Sequence, residues 1–549
     1  MMIDLLVFVV VVVVGAWVRH TPTPRVPSHR RATVIGEEEA TRTVDWLAAW
    51  YPVCFSNEVR KDTPYKAQVF ERPMVLFRDK GDVVALADEC PHRLAPLSDG
   101  RLVDLENGST GIECSYHGWQ LDGCGKCVVL PQLEGSSGIG LSAPAYAVTE
   151  RQGIVFVALK ATDSPVPTID AFDDPSWIYE QDYARDLPYD YTTLLENVCD
   201  PSHVPVSHHG TSQGDRSLAR PMATRLLRAD EDKPHPLSFE GEVEVALHGS
   251  SRLGFESKTL TQRVRFEAPG RLTYSFDLPT GQAVAAFYVV PVARGRSRVL
   301  VRRGRNFRTE AKMSRAALVA KHLENNVVFD QDVEFLVGQE HRLQARRLDG
   351  YGGAWRDYKM PTSADKFVVW LRKRLDACAP SMPWRSPLNP PKLDHDKRAL
   401  LDRYAQHTAK CEVCSEALEL TKTLKDRAKT IETLAPALAL FSASATLPSA
   451  LVLLALSAYL ATRLATAYVV GPALNAGIPN WLGLPAVALS VAHLAALSIR
   501  AGGPLLVQML AFAAAAALGT AAHRAHAALT RLEARFVYTD EAKALQHAP

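Results

Sequence analysis

Two short segments, Cys90-Pro91-His92 and Cys114-Ser115-Tyr116-His117, each place a thiol beside an imidazole within one small part of the 549-residue chain. Thiolates and imidazoles are soft and borderline metal ligands, and four of them so close in sequence predict a metal centre. Zinc is one occupant of such a set, but zinc motifs pair Cys with Cys and His with His, whereas here each half is mixed. Mixed halves suit a [2Fe–2S] cluster in which two thiolates hold one iron and two imidazoles the other, the Rieske arrangement. Neutral imidazoles leave that cluster less negative and easier to reduce. The spacing predicts two hairpin tips that pinch the cluster. Pro91 fixes φ at one tip, and Gly118 lets the backbone approach closely at the other.

Around these motifs the chain reads as short β pieces (WLAAWYPVCF, VVALADEC, GIECSYH, CVVLPQ, GIVFVAL) separated by Gly, Asp, Asn and Pro. That pattern predicts a small antiparallel sandwich over residues 44–162. Cys124 and Cys127 read either as a second metal or redox pair or, with Gly123-Cys124-Gly125-Lys126, as a simple turn, and Cys54 as a buried strand residue. A formal net charge of +2 gives no field suited to nucleic acid. Nine Cys in this length is not a disulfide scaffold.

A second concentration of metal-ligating residues follows at Glu196-Asn197-Val198-Cys199-Asp200-Pro201-Ser202-His203-Val204-Pro205-Val206-Ser207-His208-His209. Two His with a later carboxylate make the facial triad that holds Fe(II) and leaves positions open for dioxygen. On a regular helix His203 and His208 would lie roughly 140° apart, so Pro205 or a local π-type turn must bring them together. His209 is the competing neighbour. The carboxylate is expected on the helix HLENNVVFDQDVEFLVGQE, where Leu323, Val327, Val328, Phe335 and Leu336 outline a buried face. Asp332 is the first choice there and Asp330 the second. Residues 220–305 read as long alternating strands, a curved sheet able to enclose a sizeable ligand around the His-bearing helix. Asp200 reads in two ways. Its carboxylate can accept N–H bonds from two imidazoles, or it can cap a helix beginning at Pro201.

In the C-terminal third, Cys411-Glu412-Val413-Cys414 forms a pair that is either redox-active or structural. It could be half of a zinc site, but no second ligand pair is apparent. Lys410 favours thiolate there and Glu412 opposes it. Uncharged stretches at 433–462, 464–499 and 501–521 are long enough for two or three membrane helices, with an Ala-rich buried helical bundle as the alternative. At the start, Leu5–Val18 is uncharged but short of the about 20 residues a span needs. A basic, acid-poor segment follows it. Residues 1–40 therefore read as a targeting leader or an N-terminal anchor.

Taken together, the motifs resemble the oxygenase component of Rieske non-haem iron oxygenases. WYPVCFSNEV, CPHRLAPLSDGRL, CSYHGWQLDGCGKCVVLPQ and LLENVCDPSHVPVSHHG resemble its pheophorbide a oxygenase branch of plant and algal plastids. The resemblance implies an α+β chain with a Rieske β-sandwich domain and a helix-grip catalytic domain (163–375). A linker with the Cys-x-x-Cys (376–432), membrane helices (433–522) and a tail (523–549) would follow. It implies that Cys90, His92, Cys114 and His117 ligate the cluster, and that His203, His208 and Asp332 ligate a mononuclear Fe(II). Asp200 would link a cluster His of one subunit to an iron His of the next in a homotrimer, with Asn197 nearby. Cys411 and Cys414 would be a redox-sensing dithiol.

The implied reaction uses O₂, a ferredoxin-type electron donor and a hydrophobic tetrapyrrole, in a thylakoid or envelope membrane. A sterol or lipid oxygenase, as in the endoplasmic reticulum membrane, is the alternative of the same chemistry. A membrane redox sensor or electron-transfer subunit without turnover is the alternative of another class. Pocket shape decides between pheophorbide, protochlorophyllide and other tetrapyrroles.

Overall fold

A computed structural model describes residues 44–539 and residue 546, except for the segments 134–139, 230–236, 248–257, 308–312, 349–353, 387–395 and 445–503. The expected leader (1–40) lies outside the described residues.

The first part is built of ten short antiparallel strands. Strands β1 (Trp50–Phe55), β2 (Tyr65–Val69), β3 (Arg72–Asp79) and β4 (Asp82–Ala87) come first. They are followed by β5 (Arg101–Asp104), β6 (Thr110–Glu113), β7 (Gln120–Leu121), β8 (Cys127–Val129), β9 (Ala147–Arg151) and β10 (Ile154–Ala158). They form sheets β1-β10-β9, β2-β3-β4 and β5-β6-β7-β8. All five side chains of β10 are buried, as its unbroken apolar sequence requires of a strand covered on both faces. Two cores result. Val75, Phe77, Leu86, Leu97, Ile112 and Leu121 make a small core that also buries Cys90 and Cys114. By contrast, Tyr51, Val53 and Ile154, Val155, Phe156 and Val157 of β10 join the large core of the following domain. Cys54 is fully buried on β1. The Cys124–Cys127 segment is a turn, with Asp122 Oδ1 accepting the N–H groups of Cys124 (3.0 Å) and Lys126 (2.9 Å).

The second part is a seven-stranded antiparallel sheet in the order β11-β17-β16-β15-β14-β13-β12. Its strands are β11 (Ile178–Leu187), β12 (Thr224–Ala229), β13 (Ser238–Leu247), β14 (Lys258–Glu267), β15 (Arg271–Leu278), β16 (Gly281–Ala293) and β17 (Arg296–Arg305). The five alternating segments of the sequence are β13–β17, and β11 and β12 complete the sheet. Helix α1 (Tyr191–Cys199) is capped by Asp190, whose side chain accepts the Thr192 N–H. It is tied to the sheet by Tyr274, whose hydroxyl donates to the Val198 carbonyl at 2.8 Å. A single helical turn, α2 (Val204–Ser207), follows, and then the 34-residue α3 (Arg315–Leu348). Helix α4 (Lys366–Cys378) lays Phe367 and Trp370 against Phe239, each with ring centroids 5.1 Å apart. Gly241 permits that approach, because a Cβ there would stand 2.4 Å from the Phe367 ring.

The two parts are cross-braced by buried arginines of β17. Arg298 donates to Asp186 at 2.9 Å and to Glu58 and Tyr65 of the first part at 3.2 and 2.8 Å. Arg302 pairs with Asp182 at 2.6 Å and lies 5.3 Å from the Phe55 ring centroid.

The C-terminal region differs from a linker followed by membrane helices. A π-helical turn, Tyr404–Thr408, leads into α5 (Glu412–Ser444), which pairs antiparallel with α6 (Pro504–Val537). Leu418, Leu424, Ala428, Leu529, Leu532 and Phe536 form the seam, and Val319 and Leu323 of α3 close its base. Small residues allow the helices to approach, with Ala435 Cβ 3.1 Å from where a Cβ on Gly519 would lie. Among the described residues no helix is long and apolar enough to cross a membrane. Of the expected spans, 464–499 and most of 433–462 fall in 445–503, outside the described residues. The third, 501–521, is described from residue 504 onward and lies within α6, which pairs with α5 and is not apolar enough to be a span.

Candidate iron centres

The two Cys/His segments fold into matching loops. In the first, Cys90 N–H donates to the Ala95 carbonyl and Leu94 N–H to the Cys90 carbonyl, both at 2.8 Å. In the second, Cys114 N–H donates to the Trp119 carbonyl at 2.8 Å and Gly118 N–H to the Cys114 carbonyl at 2.9 Å. The fifth residue of each loop is left-handed, Leu94 with φ 61° and Gly118 with φ 74°. Gly118 thus serves as the hinge of its tip, and Leu94 takes the same conformation at the steric cost of its Cβ.

The loops present both sulfurs inward, with Cys90 and Cys114 1–2% exposed. The imidazoles lie over them at the half-buried tips, with ring centroids 4.4 Å apart. His92 stacks on Trp119 with centroids 4.4 Å apart. Trp119 Nε1 donates to Gln132 at 3.0 Å, and Gln132 Nε2 donates to the His117 carbonyl at 2.8 Å, bracing the second loop. Asp88 fixes the exit of the first loop by accepting the N–H and hydroxyl of Ser98, both at 2.7 Å. Burial pushes the Cys90 thiol up, opposed by the backbone N–H groups of His92 and Arg93. His92 Nδ1 is buried and has no hydrogen-bond partner, a free imidazole nitrogen of the kind a cluster iron takes up. Buried thiols from paired loops with such a nitrogen fit a Rieske cluster.

His203 and His208 do not share a regular helix. Helix α1 ends at Cys199, Asp200 closes it, and α2 is one turn with His203 as its N-cap and His208 as its C-cap. The break, rather than a distortion inside one helix, turns both rings to the same side. The short helix starts at Val204, so Asp200 is not the cap of a helix beginning at Pro201. Instead, Asp200 Oδ1 accepts the N–H (2.8 Å) and hydroxyl (2.6 Å) of Ser202.

The ligand atoms of His203, His208 and Asp332 lie within 4.8 Å of one another. Asp332 Oδ2 is 3.8 Å from His203 Nε2 and 3.6 Å from His208 Nε2. Its other oxygen accepts the Ser207 hydroxyl at 2.5 Å, and Asn197 Nδ2 donates to Oδ2 at 3.2 Å. His203 Nδ1 lies 2.5 Å from the Asp200 carbonyl. A carbonyl only accepts, so Nδ1 carries a proton, and Nε2, which faces Asp332, is the nitrogen that would take a metal. Burial favours the neutral His203 ring, yet the Asp200 hydrogen bond and the Asp332 and Asp200 carboxylates prevail and raise it to about 9. Burial dominates at His208 and lowers it to about 4, against the pull of Asp332. This donor set of two imidazoles and one carboxylate fits a mononuclear Fe(II).

Asp330 is spoken for elsewhere. It pairs with Arg185 at 2.5 Å and Arg403 at 2.7 Å, all three side chains being fully buried. His209 turns away too, its Nδ1 accepting the Arg216 N–H at 3.1 Å. Phe335 is 45% exposed rather than part of the buried face, whereas Leu323, Val327, Val328 and Leu336 are buried. Cys411 and Cys414 stand at the start of α5, beside His322 and His407. Lys410, expected to assist the thiolate, is paired with Asp186 instead. Sequence reasoning missed Ser207, Gln132 and His322. Ser207 sits inside the His203–His208 segment, and that position was its one available sign.

A family model described as the Rieske [2Fe-2S] domain matches residues 49–146, and one described as pheophorbide a oxygenase matches residues 266–348. The chain is 32% identical over 443 residues to pheophorbide a oxygenase, chloroplastic, of Oryza sativa subsp. japonica. That match covers 73% of this chain and 79% of the relative. It is 29% identical to Protein TIC 55, chloroplastic, of Arabidopsis thaliana, covering 68% and 73% of the two chains. It is also 29% identical to flavonoid 8-hydroxylase 2, chloroplastic, of Ocimum basilicum, covering 74% and 79%. Among solved structures, a dicamba monooxygenase bound to dicamba is similar in fold. Its TM-score is 0.50 at 19% identity, covering 62% of this chain and 99% of that one.

Proposed function

Because the chain belongs to the pheophorbide a oxygenase branch of the Rieske non-haem iron oxygenases, we propose that it oxidises a chlorophyll-type tetrapyrrole with dioxygen. The observation that carries this reading is the convergence of His203, His208 and Asp332 in a chain that also holds the paired Cys/His loops. A pure electron carrier or redox sensor needs only the loops. The iron groups, when bound, supply one-electron transfer and dioxygen activation.

The protein's own residues do the rest. Cys90, Cys114, His92 and His117 are the cluster ligands of this reading, and His203, His208 and Asp332 hold the mononuclear iron. Ser207 and Asn197 orient the Asp332 carboxylate through its two oxygens. Asp200 fixes the His203 tautomer, while 26% of its side chain stays exposed. That exposure leaves the carboxylate free to meet a cluster histidine of a neighbouring subunit in a homotrimer. Burial works against the Asp200 charge, but hydrogen bonds from His203 and Ser202 keep it ionised.

The names of the chloroplast relatives support a plastid location and, for the pheophorbide a oxygenases among them, a tetrapyrrole substrate. Membership of the Rieske oxygenase family supports a ferredoxin-type donor. The uncharged stretches 445–462 and 464–499, outside the described residues, support attachment to a plastid membrane. The test is to incubate the reduced protein with a panel of tetrapyrroles, sterols and flavonoids under ¹⁸O₂ and analyse the products by mass spectrometry. A labelled tetrapyrrole is the expected result. Label only in a sterol or flavonoid would overturn the substrate assignment.

A further inference from the structure

We propose that His322, His407, Cys411 and Cys414 form a closed four-ligand zinc site, separate from both iron centres. The four residues come from three places: His322 from α3, His407 from the π-helical turn, and the two Cys from the start of α5, Cys411 just before it and Cys414 in its first turn. Their ligand atoms all lie within 4.8 Å of one another. His407 Nε2 is 3.3 Å from Cys414 Sγ, and His322 Nδ1 is 3.5 Å from both sulfurs. In a zinc tetrahedron with Zn–S of about 2.3 Å and Zn–N of about 2.0–2.1 Å, neighbouring N and S atoms stand about 3.5 Å apart. The side chains therefore already sit near the edges of that tetrahedron. A two-iron cluster would divide the four ligands between two metals and spread them further.

The His407 tautomer agrees. His407 Nδ1 lies 2.6 Å from the Ala184 carbonyl, which can only accept, so the proton is on Nδ1 and the Nε2 lone pair faces Cys414. An imidazole whose far N–H is held by a carbonyl is the usual support of a metal-bound His. The π turn adds a residue to the helical circuit, and such turns favour functional positions. His322, His407 and Cys414 are 0–2% exposed, so little water reaches the centre. Thiolates and imidazoles exclude hard cations, and a set with all four positions filled by protein is structural rather than catalytic.

The ion joins α3, the π turn and the α5–α6 hairpin at one point. His322 lies ten residues before Asp332 on α3, about 15 Å along the helix. The site therefore anchors the first half of the helix that presents the iron-binding carboxylate.

The test uses the full chain, purified anaerobically without added zinc and dialysed against EDTA, with metals measured by mass spectrometry. One zinc per chain is expected besides the iron. X-ray absorption at the zinc edge should report two sulfurs at about 2.3 Å and two nitrogens at about 2.0 Å. The double variant Cys411→Ser/Cys414→Ser and the variant His407→Gln should each lose at least nine-tenths of the zinc while keeping the visible spectrum of the Rieske cluster. If these variants fail to fold, the absorption spectrum of the wild-type zinc decides alone. Zinc below a tenth per chain with Cys411 and Cys414 as free thiols or a disulfide, zinc without sulfur neighbours, or iron in its place would each overturn the proposal.

Discussion

Asp330 and Asp332 are two residues apart on α3, and their carboxylates face opposite tasks. Asp330 is locked between Arg185 and Arg403 at 2.5 and 2.7 Å, whereas Asp332 stands 3.6 Å from His208 Nε2. Two residues turn a helix by about 200°, so neighbouring acids of this spacing cannot serve one site. One carboxylate ties β11, the π turn and, through the Arg403–Arg535 carbonyl bond, α6. The other is the proposed iron ligand beside His203 and His208.

The two acids should accordingly fail in different ways. Asp330→Ala strands two buried guanidinium groups and should cost about 3–5 kcal/mol. Asp332→Ala, measured in the same chelator-treated protein, should cost far less. Chemical denaturation of both variants checks this, and equal losses would contradict the division of labour.

Ser207 is a positioning residue. Its hydroxyl holds the Asp332 oxygen that does not face the histidines. Ser207→Ala should weaken Fe(II) binding by about 10–100-fold, the usual effect of removing an outer partner of a ligand. Ser207→Thr, which keeps the donor, should recover most of it. Titration of Fe(II) into metal-free protein reads the difference, and an unchanged affinity for Ser207→Ala would refute the role.

The tip of the second loop should tolerate no side chain. Gly118 has φ 74°, and a Cβ there would meet Pro131 Cγ at 3.3 Å. Gly118→Ala should lower cluster occupancy, read from visible absorbance per chain. Leu94→Gly, at the equivalent position with φ 61°, should relieve about 1 kcal/mol of backbone strain, offset in part by unfolded-chain entropy. Its cluster occupancy should be unchanged or higher.

Glu340 should make stability fall with pH. Burial first, and then the Asp190 charge, raise it to about 8 from the ordinary carboxylate range. The folded chain holds that proton more tightly than the unfolded one. The group's stabilisation is therefore complete below about pH 4.5 and is lost as pH rises through 8. Glu340→Gln should flatten the decline of melting temperature between pH 5 and 8. Parallel curves for the two proteins would contradict it.

Much of the site was legible in the sequence because its ligands are chemically rare and locally spaced. The two Cys/His loops carry their spacing on the chain, and five of the seven sheet strands alternate visibly. What was hidden depended on long-range geometry. Asp332 could be ranked above Asp330 but not separated from it, since the choice rests on Arg185 and Arg403, far away in sequence. His322 looks like any helical histidine until α5 brings the Cys pair against it. The C-terminal hairpin is Ala-rich, and a seam between two such helices reads much like a membrane span. Strands β11 and β12 carry charged residues within their runs, Arg185 and Asp186 in one and Arg225 and Arg228 in the other, which broke the expected alternation.

The central claim is two distinct iron centres in one chain, and counting iron tests it most directly. Anaerobically reconstituted protein should hold about three irons per chain, two in the cluster and one at the triad. His203→Ala and Asp332→Ala should each fall to about two, with the Rieske absorption and electron-spin resonance unchanged and single-turnover O₂ uptake lost. Two irons in the unaltered protein, or O₂ uptake that survives both substitutions, would contradict it.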